Sequence, residues 1–359
     1  MKKQLTTFLL CLLCLTTVIG QQSITLIPEP VSMQQLPGNF ELPANIRVSL
    51  PKTNIGHTYE LLRSKITTAK GYTVTETNGK NAHIILTLNS SENKQLGKEG
   101  YTLHVAKNKV NIAANTPAGL FYAVQTLLQL FPAEIETAKN TLLDTKWRIP
   151  QVKIIDYPRV GWRGLMLDVS RHFFTVDEVK KYIDNMSRYK YNMFHFHLTD
   201  DEGWRIEIKS YPNLTKAGAW RVNKTGDFGH MSKPHPDEPK DYGGFYTQED
   251  IKEIVRYAKD RFIDIMPEID VPGHSTAAIV AYPELSCTEG AEKYTVHAGE
   301  GFLDWSQGAP PISAIDNTLC PANEKVYEFM EKVLGEVAEL FPFEYIHTGG
   351  DEAPHNFWE

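Results

Sequence analysis

The apolar residues of this chain follow two different rhythms, which change near Arg163. Up to about residue 150, short runs rich in β-branched residues predict strands, and two stretches with helical spacing predict helices. In the second helix, Thr116 is placed as the N-cap and Pro117 as the first helical residue. The pattern predicts a small α/β domain, with strands over residues 24–27, 46–50, 83–88, 101–105 and 110–113 and helices over 57–70 and 116–131.

After Arg163 the order becomes strand, loop, helix, and it repeats. Apolar runs predict strands over residues 164–169, 192–198, 262–267 and 343–346. Helices are predicted over 175–189, where Thr175 and Glu178 form a capping box, over 247–261, which Thr247 caps, and over 323–341. Each strand is followed by ionisable residues, which is typical of a (β/α) barrel with its chemistry at the carboxyl ends of the strands.

The chain therefore divides into three parts. Residues 1–20 are predicted to be an export signal, residues 21–150 a non-catalytic α/β domain, and residues 151–359 a barrel domain. Residues 147–158 are interpreted as the connection between the two domains. Within the barrel domain, the long polar insertion over residues 217–244 is expected to be an active-site loop.

The first twenty residues have the composition of a cleavable signal. Lys2 and Lys3 precede an apolar core over residues 8–15 that is too short to span a bilayer, and cleavage is expected before Gln21. A lipid anchor on Cys14 is the alternative, which Leu13 disfavours because such sites need a small preceding residue. The prediction is an exported protein, periplasmic or extracellular, with no other membrane-spanning run.

Charge and cysteine content narrow the partners and the compartment. The formal net charge is −7, and loss of Lys2 and Lys3 lowers it to −9, which argues against a nucleic-acid partner. Of the four cysteines, only Cys287 and Cys320 follow the signal. In an oxidising compartment they form either a disulfide or two unrelated buried thiols.

The residues after the four predicted strands suit a neutral, hydroxyl-rich ligand. Carboxylates and guanidinium groups hydrogen-bond hydroxyls in pairs, and the exposed face of an aromatic residue such as Trp204 can stack on a sugar ring. The alternative for Arg171 is a structural ion pair with Asp168. The candidate site residues are Arg171, Asp200, His274, Asp351 and Glu352.

His195 and His197 form an alternating pair on one strand face, which raises the alternative of a metal-dependent barrel hydrolase. Their neighbours are Phe194, Phe196 and Leu198, so packing among aromatic residues explains the pair equally well. No third ligand with clear spacing accompanies the two histidines. The prediction is therefore a site without metal.

Asp351 and Glu352 are sequence neighbours, and this limits how they can act on a glycosidic bond. Glycosidases usually place two carboxyl groups on opposite sides of that bond, about 5–10 Å apart. Neighbours on one strand tip do not easily take such positions. If Glu352 is the acid, Asp351 is better placed to hold a substrate group that itself attacks, which is substrate-assisted catalysis.

Four stretches in the same order resemble glycoside hydrolase family 20, the β-N-acetylhexosaminidases. They are GLMLDVSRHF (164–173), FHFHLTDDEGWR (194–205), PEIDVPGH (267–274) and HTGGDE (347–352). The preceding α/β domain is also similar to the non-catalytic domain of that family. The resemblance implies a (β/α)8 TIM barrel, of which the first four units are present, and an exo-acting, retaining enzyme that needs no cofactor.

The resemblance also implies a role for each site residue. Glu352 would be the general acid and base, and Asp351 would orient the 2-acetamido group that attacks the anomeric carbon. Arg171 would hold hydroxyls of the terminal sugar, while Asp200 and His274 would form a relay to Glu352. The implied substrates are oligosaccharides or glycoconjugates with terminal β-linked N-acetylhexosamine.

The chain departs from the family at its end. The last residue, Glu359, follows the fourth strand closely, whereas the family's barrel has eight strands. The later strands carry the tryptophans and the tyrosine that wall the sugar pocket. We therefore expect a truncated chain, with an open sheet edge. The alternative is a sugar-binding protein without catalysis, if the protein ends at Glu359.

Overall fold

The computed structural model describes residues 24–137, 146–309, 312–354 and 356–358. The predicted export signal over residues 1–20, with Cys11 and Cys14, lies outside the described residues. Within those ranges no helix combines the length and the apolar character that crossing a membrane requires.

The elements of the first part of the chain are β1 (Ser32–Glu41), β2 (Asn45–Ser49), α1 (Gly56–Lys70), β3 (Thr73–Glu76), β4 (Ile84–Leu88), β5 (Tyr101–Ala106), β6 (Lys109–Ala114), α2 (Pro117–Leu130) and β7 (Arg148–Asp156), with short 3-10 turns at Gly79–Asn81 and Ala133–Glu136. The strands form a mixed seven-stranded sheet in the spatial order β1-β7-β5-β6-β4-β2-β3. The helices α1 and α2 pack on this sheet and share one hydrophobic core with it.

Helix α2 begins where its sequence predicts. The Thr116 hydroxyl accepts the Gly119 N–H at 3.4 Å, and Pro117 occupies the first turn, where no N–H is needed. Most of the helix is buried against the sheet, including Leu120, Val124 and Leu127.

Two predictions for this domain are wrong, and two of its strands were not predicted. Residues 24–27 form no strand. The strands β1 and β3 lack the apolar runs that predict strands, because both lie at the edges of the sheet and most of their residues are exposed and polar. Residues 147–158 are not merely a connection, since β7 pairs with β1 and β5 and extends the sheet to Asp156. The boundary placed after residue 150 therefore cuts through a strand.

The main elements of the second part are β8 (Gly164–Asp168), α3 (Val176–Arg188), β9 (Met193–His197), α5 (Gln248–Lys259), β14 (Asp264–Glu268) and α7 (Glu324–Leu340). The three strands form a parallel sheet in the order β14-β9-β8, with α3 following β8 and α5 preceding β14. The loops contain β10 (Thr199–Asp200), β11 (Gly203–Trp204), α4 (Asn213–Lys216), β12 (Trp220–Arg221), β13 (Tyr242–Gly243), α6 (Thr276–Ala281), β15 (Leu303–Asp304) and β16 (Ile312–Ser313), with 3-10 turns at Pro283–Leu285 and Ala291–Lys293.

Strand β9 lies at the centre of this sheet, and Phe194 and Phe196 on it are fully buried. A central parallel strand covered on both faces reads as a nearly continuous apolar run, which is why it was recognised. The helices around it begin as predicted. Thr175 and Glu178 form the capping box of α3, and Thr247 caps α5.

The predicted fourth strand over residues 343–346 does not form. One residue beyond it, His347, bridges Glu268 in parallel, with His347 N–H bonded to Pro267 O at 2.9 Å. At the other side of the sheet, Leu165 and Met166 of β8 are exposed, and no strand among the described residues pairs with that edge. The expected open edge is therefore present.

The structure joins Cys287 and Cys320 in a disulfide between residues 33 positions apart. The bond ties the irregular segment after α6 to the residues just before α7. We expect peptide mass spectrometry of the unreduced protein to find the two cysteines linked. The double variant Cys287→Ala/Cys320→Ala should lose about 3 kcal/mol of unfolding free energy, because an unfolded chain without this link has more conformational entropy. Two free thiols in the native protein would contradict the prediction.

Candidate active site

The site lies at the carboxyl ends of the three parallel strands. Arg171 follows β8, Asp200 follows β9, and His274 follows β14, while Asp351 and Glu352 come from the loop after the bridge at His347. Because parallel strands end at one edge of their sheet, residues far apart in sequence meet there. The structure brings all five predicted site residues into one chain of contacts.

Asp200 is the centre of that chain. Its fully buried carboxylate contacts Arg171 Nη1 at 2.6 Å and His197 Nε2 at 2.7 Å through Oδ2. Oδ1 accepts from the backbone of Asp201 at 2.8 Å and contacts His274 Nδ1 at 3.0 Å. Burial acts to raise the pKa of Asp200, but the hydrogen bonds with His197 and His274 outweigh it and hold that pKa below its usual value.

Arg171 is held by several carboxylates at once. Besides Asp200, its guanidinium contacts Asp168 Oδ2 at 3.0 Å and Glu202 Oε2 at 3.3 Å. The ion pair with Asp168, weighed above as the alternative, is thus present together with the site contact. The arginine side chain keeps 33% of its surface exposed, so it can still reach a ligand.

His274 connects Asp200 to the adjacent carboxylates. Its Nε2 lies 3.5 Å from Glu352 Oε2 and 3.7 Å from Asp351 Oδ2, and it makes no hydrogen bond within the described residues. Burial alone would lower the pKa of His274, but the carboxylates of Asp200 and Asp201 raise it to about 12. The ring is therefore a cation that points its free N–H toward Asp351 and Glu352.

Two of these residues have unusual backbone conformations. His274 and Glu352 adopt φ angles of 51° and 46°, in the left-handed region that side chains with a Cβ rarely occupy. Strain of this kind persists where surrounding contacts over-determine the chain, and it concentrates at functional sites. These two residues are also the pair in which His274 Nε2 lies 3.5 Å from Glu352 Oε2.

Asp270 anchors the turn that carries the carboxylate pair. Its Oδ1 accepts the Gly350 N–H at 3.2 Å, and its own N–H donates to Thr199 Oγ1 at 3.0 Å. Burial raises the pKa of Asp270 to about 7, with further contributions from Asp351 and Asp200 against the opposing charge of His274.

Gly349 is required in this turn for two reasons. Its φ is +62°, and a Cβ built on it would lie 1.7 Å from Asp270 Oδ1. We expect Gly349→Ala to displace the turn and reduce activity of the full-length protein by at least about 100-fold, since a misplacement near 1 Å has that effect. Gly161→Ala is the matched control, because that glycine has an ordinary φ and open space around it. Equal activity of the two variants would contradict this role of the turn.

Glu268, at the end of β14, gathers three histidines. Its Oε2 lies 2.6 Å from His195 Nε2 and 2.7 Å from His197 Nδ1, and its Oε1 lies 3.0 Å from His347 Nδ1. Two ligands of a tetrahedral zinc ion would be about 3.3 Å apart, given zinc–ligand bonds near 2.0–2.1 Å. The separations observed here are shorter, and they are those of hydrogen bonds.

The explanation of the histidine pair by packing is incomplete. His197 does lie beside buried aromatic residues, yet both its ring nitrogens face carboxylates, Glu268 on one side and Asp200 on the other. Burial works to lower the pKa of His197, and these two carboxylates raise it to about 10.

The prediction for Trp204 is wrong. Its side chain is 2% exposed, donates its indole N–H to Ile206 O at 2.8 Å and packs edge-on against Phe329. It belongs to the core and cannot stack on a sugar.

The insertion over residues 217–244 does reach the site, where it contacts the backbone of Arg171 and the side chain of His172. Arg221 Nη2 donates to the Arg171 carbonyl at 3.0 Å, and Tyr242 hydrogen-bonds His172. The insertion therefore contributes to the position of the arginine.

Several site residues were not among the predicted ones: Asp201, Glu202, Glu268, Asp270 and His347. All of them lie within the four motifs that carried the resemblance. The available signal was their position, since each is within a few residues of a strand's carboxyl end. Residue type alone could not separate a buried carboxylate in a network from a solvated one.

Two family models match the chain. Residues 160–359 match the glycosyl hydrolase family 20 catalytic domain, and residues 23–157 match domain 2 of the same family. A beta-hexosaminidase from Porphyromonas gingivalis is 35% identical over 98% of this chain and 44% of its own length. A beta-hexosaminidase from Vibrio furnissii is 38% identical over 94% of this chain and 50% of its own length.

Solved structures give the same result. The chain matches the GH20 beta-N-acetylhexosaminidase of Streptomyces coelicolor with a TM-score of 0.76 and 35% identity, over 91% of this chain and 60% of that one. A beta-N-acetylhexosaminidase from Bacteroides fragilis matches with a TM-score of 0.70 and 34% identity, over 92% and 58% of the two chains. The chain spans about half the length of the curated relatives it matches. It belongs to glycosyl hydrolase family 20.

Proposed function

We propose that the full-length protein is an exo-acting β-N-acetylhexosaminidase that removes terminal β-linked GlcNAc or GalNAc from oligosaccharides with retention of configuration. The relatives named above support the activity, and a related Vibrio harveyi protein is described as an N,N'-diacetylchitobiase. Neutral hydroxyl-rich substrates also fit a site built from a guanidinium, imidazoles and carboxylates.

The observation that carries the mechanism is the arrangement of Asp351 and Glu352. Both carboxylates approach the same nitrogen, Nε2 of His274, within 3.5–3.7 Å. They therefore face one side of the reaction centre and do not oppose each other across a bond. A nucleophile is needed from elsewhere, and the 2-acetamido carbonyl oxygen of the substrate supplies it.

In this mechanism Glu352 protonates the leaving oxygen and later activates water. Asp351 holds the acetamido N–H, so that the carbonyl oxygen points at the anomeric carbon. Both side chains are exposed enough to touch a substrate, at 43% for Glu352 and 62% for Asp351. Arg171 binds hydroxyls of the terminal sugar.

We also propose that the protein is exported to the periplasm or beyond the cell. The charged and apolar pattern of the first twenty residues supports this, and so does a disulfide, because such bonds persist in oxidising compartments. N-terminal sequencing of the mature protein should begin at Gln21. A lipidated N-terminus at Cys14 would support the anchored alternative.

The test of the mechanism is to change the substrate of the full-length protein. A β-glucoside with hydroxyl in place of the acetamido group should be almost inert. A GlcNAc-thiazoline, which mimics the cyclised intermediate, should inhibit far more tightly than GlcNAc, as intermediate mimics do. A sugar ester on Asp200 or Asp351, found by mass spectrometry, would overturn the substrate-assisted mechanism.

The rival functions predict different outcomes in the same assays. A metal-dependent hydrolase would lose activity with a chelator and regain it with zinc. A sugar-binding protein would bind GlcNAc and release none from any substrate.

A further inference from the structure

The contacts of His197 connect the candidate site to buried residues that do not face a substrate. Its Nδ1 lies 2.7 Å from Glu268 Oε2, and its Nε2 lies 2.7 Å from Asp200 Oδ2. Two carboxylates facing the two ring nitrogens favour the doubly protonated imidazolium, and they raise the pKa of His197 to about 10. Glu268 and His197 are 5% and 4% exposed, and their charges are therefore weakly screened by solvent.

The charges alternate along this row. Glu268 and Asp200 are anions, and His197 between them and His274 beyond them are cations. The row ends at the N–H of His274 that faces Glu352. The two inner ions, His197 and Asp200, thus each have an opposite charge on either side, the arrangement that offsets the cost of removing ions from water.

We propose that Glu268 is a positioning residue for the reaction: through the His197 imidazolium it fixes the Asp200 carboxylate, which in turn holds Arg171 and His274. The inference rests on the proposed hexosaminidase activity. Glu268 itself lies behind His197 and does not face the carboxylate pair. We attribute its effect on the reaction to the charge and orientation of the His197 ring.

Other titratable groups also face Glu268 and His197. His195 Nε2 and His347 Nδ1 contact the Glu268 carboxylate at 2.6 and 3.0 Å, and the Asp270 carboxylate lies within 4.8 Å of the Glu268 and His197 ligand atoms. Arg171 Nη1 lies 3.2 Å from His197 Nε2, on the Asp200 side. A cation beside that nitrogen disfavours the charged ring, whereas the carboxylates of Asp200 and Glu268 favour it, so loss of the Glu268 charge should lower the pKa of His197.

Glu268→Gln tests the proposal, because the amide keeps the shape and loses the charge. We expect kcat to fall roughly 10–100-fold, the scale for losing a partner that orients a functional histidine. KM should change less than kcat, because Arg171, which binds the sugar, is also held by Asp168 and Glu202. In this variant the pKa of His197 should fall, so that the ring loses its proton within the pH range of the assay. Asp200 then loses a cationic partner. The alkaline limb of the pH–activity profile should therefore move to lower pH.

Glu336→Gln is the matched control. Glu336 also accepts three hydrogen bonds, from Lys209 N–H, Ser210 N–H and the Gln248 amide, and it makes no contact with the site. This variant should lose stability and keep the wild-type pH profile. An unchanged pH profile of Glu268→Gln, or the same shift in both variants, would overturn the proposal.

A spectroscopic measurement keeps the test independent of activity and of how well the variant folds. In ¹⁵N-histidine-labelled wild-type protein, with the signals assigned through His197→Gln, both ring nitrogens of His197 should remain protonated up to about pH 9. In Glu268→Gln the same ring should titrate, and its midpoint should coincide with the shifted limb of the activity profile. A neutral His197 ring in the wild type at pH 7 would refute the proposal even if hexosaminidase activity were established.

Discussion

Glu352→Gln in the full-length protein should reduce hydrolysis of unactivated β-GlcNAc substrates by about 10²-fold or more, the usual contribution of a positioned general acid. Glutamine preserves the shape of the side chain and the contact with His274, but it cannot donate the proton that the leaving oxygen requires. Substrates whose leaving groups need no protonation, such as dinitrophenyl glycosides, should lose much less. The measurement is kcat/KM on both substrate classes.

The control for this variant is Glu344→Gln, the same substitution on the segment that leads into the turn. Glu344 is exposed, so its variant should behave as wild type on both substrate classes. If Glu352→Gln loses equally on activated and unactivated substrates, Glu352 does not act as the acid. The substrate-assisted mechanism could then survive with another proton donor.

Asp200→Asn should be the most destabilising single substitution in the site. It removes the anion that Arg171, His197 and His274 share and leaves three cations facing an amide. Breaking a buried ion pair in this way costs about 3–5 kcal/mol of unfolding free energy. Activity should fall with it, because His274 loses the partner that orients its N–H toward Glu352. Chemical denaturation at pH 7 measures the first effect, and kcat the second.

The loss of unfolding free energy in Asp200→Asn should depend on pH in a defined direction. The pKa of Asp200 is lowered in the folded protein, so its contribution to stability is full above its unfolded pKa, near 4, and disappears as the pH falls below that value. The stability difference between wild type and Asp200→Asn should therefore be largest near neutral pH and shrink on acidification below about pH 4. A difference that stays constant into that range would mean that the charge of Asp200 is not what stabilises the site.

Asp156→Asn provides a comparison at a buried carboxylate away from the site. Asp156 bonds Lys190 Nζ at 2.8 Å and the Tyr101 hydroxyl at 2.9 Å, where the two domains meet. Its variant should also be destabilised, yet the folded fraction should keep the specific activity of the wild type. Loss of activity in both variants at equal folded fraction would show that global loosening explains the effect of Asp200.

Local chemistry in the sequence determined much of this fold. The N-cap at Thr116, the capping box at Thr175 and Glu178, and the apolar run of β9 were all predicted correctly. Such features depend on a few neighbouring residues, so they can be recognised without knowledge of distant contacts. The five candidate site residues also lie in short local motifs within residues 160–359, the range that the family 20 catalytic model matches, and their roles stay predictions.

Local patterns do not predict the edge strands of the first domain or the structure of residues 343–346. Strand β1 has few buried residues, and its pairing with β7 decides its structure. Conversely, residues 343–346 carry the composition of a strand but form none, because pairing with a neighbour, and not propensity, makes a strand. The aromatic ring of Trp204 was misjudged for a related reason, since burial depends on what packs around a residue.

The contacts among Glu268, His197 and Asp200 depend on the tertiary structure and do not follow from local sequence patterns. Glu268, His197 and Asp200 come from two strands and a following turn, and their order as partners depends on strand register, which places Glu268 beside His197. The sequence by itself determined that carboxylates and histidines would gather at one edge of a parallel sheet. Only the packed structure decided which of them are charged, because burial and the nearest partner set each pKa, and both are properties of the three-dimensional arrangement.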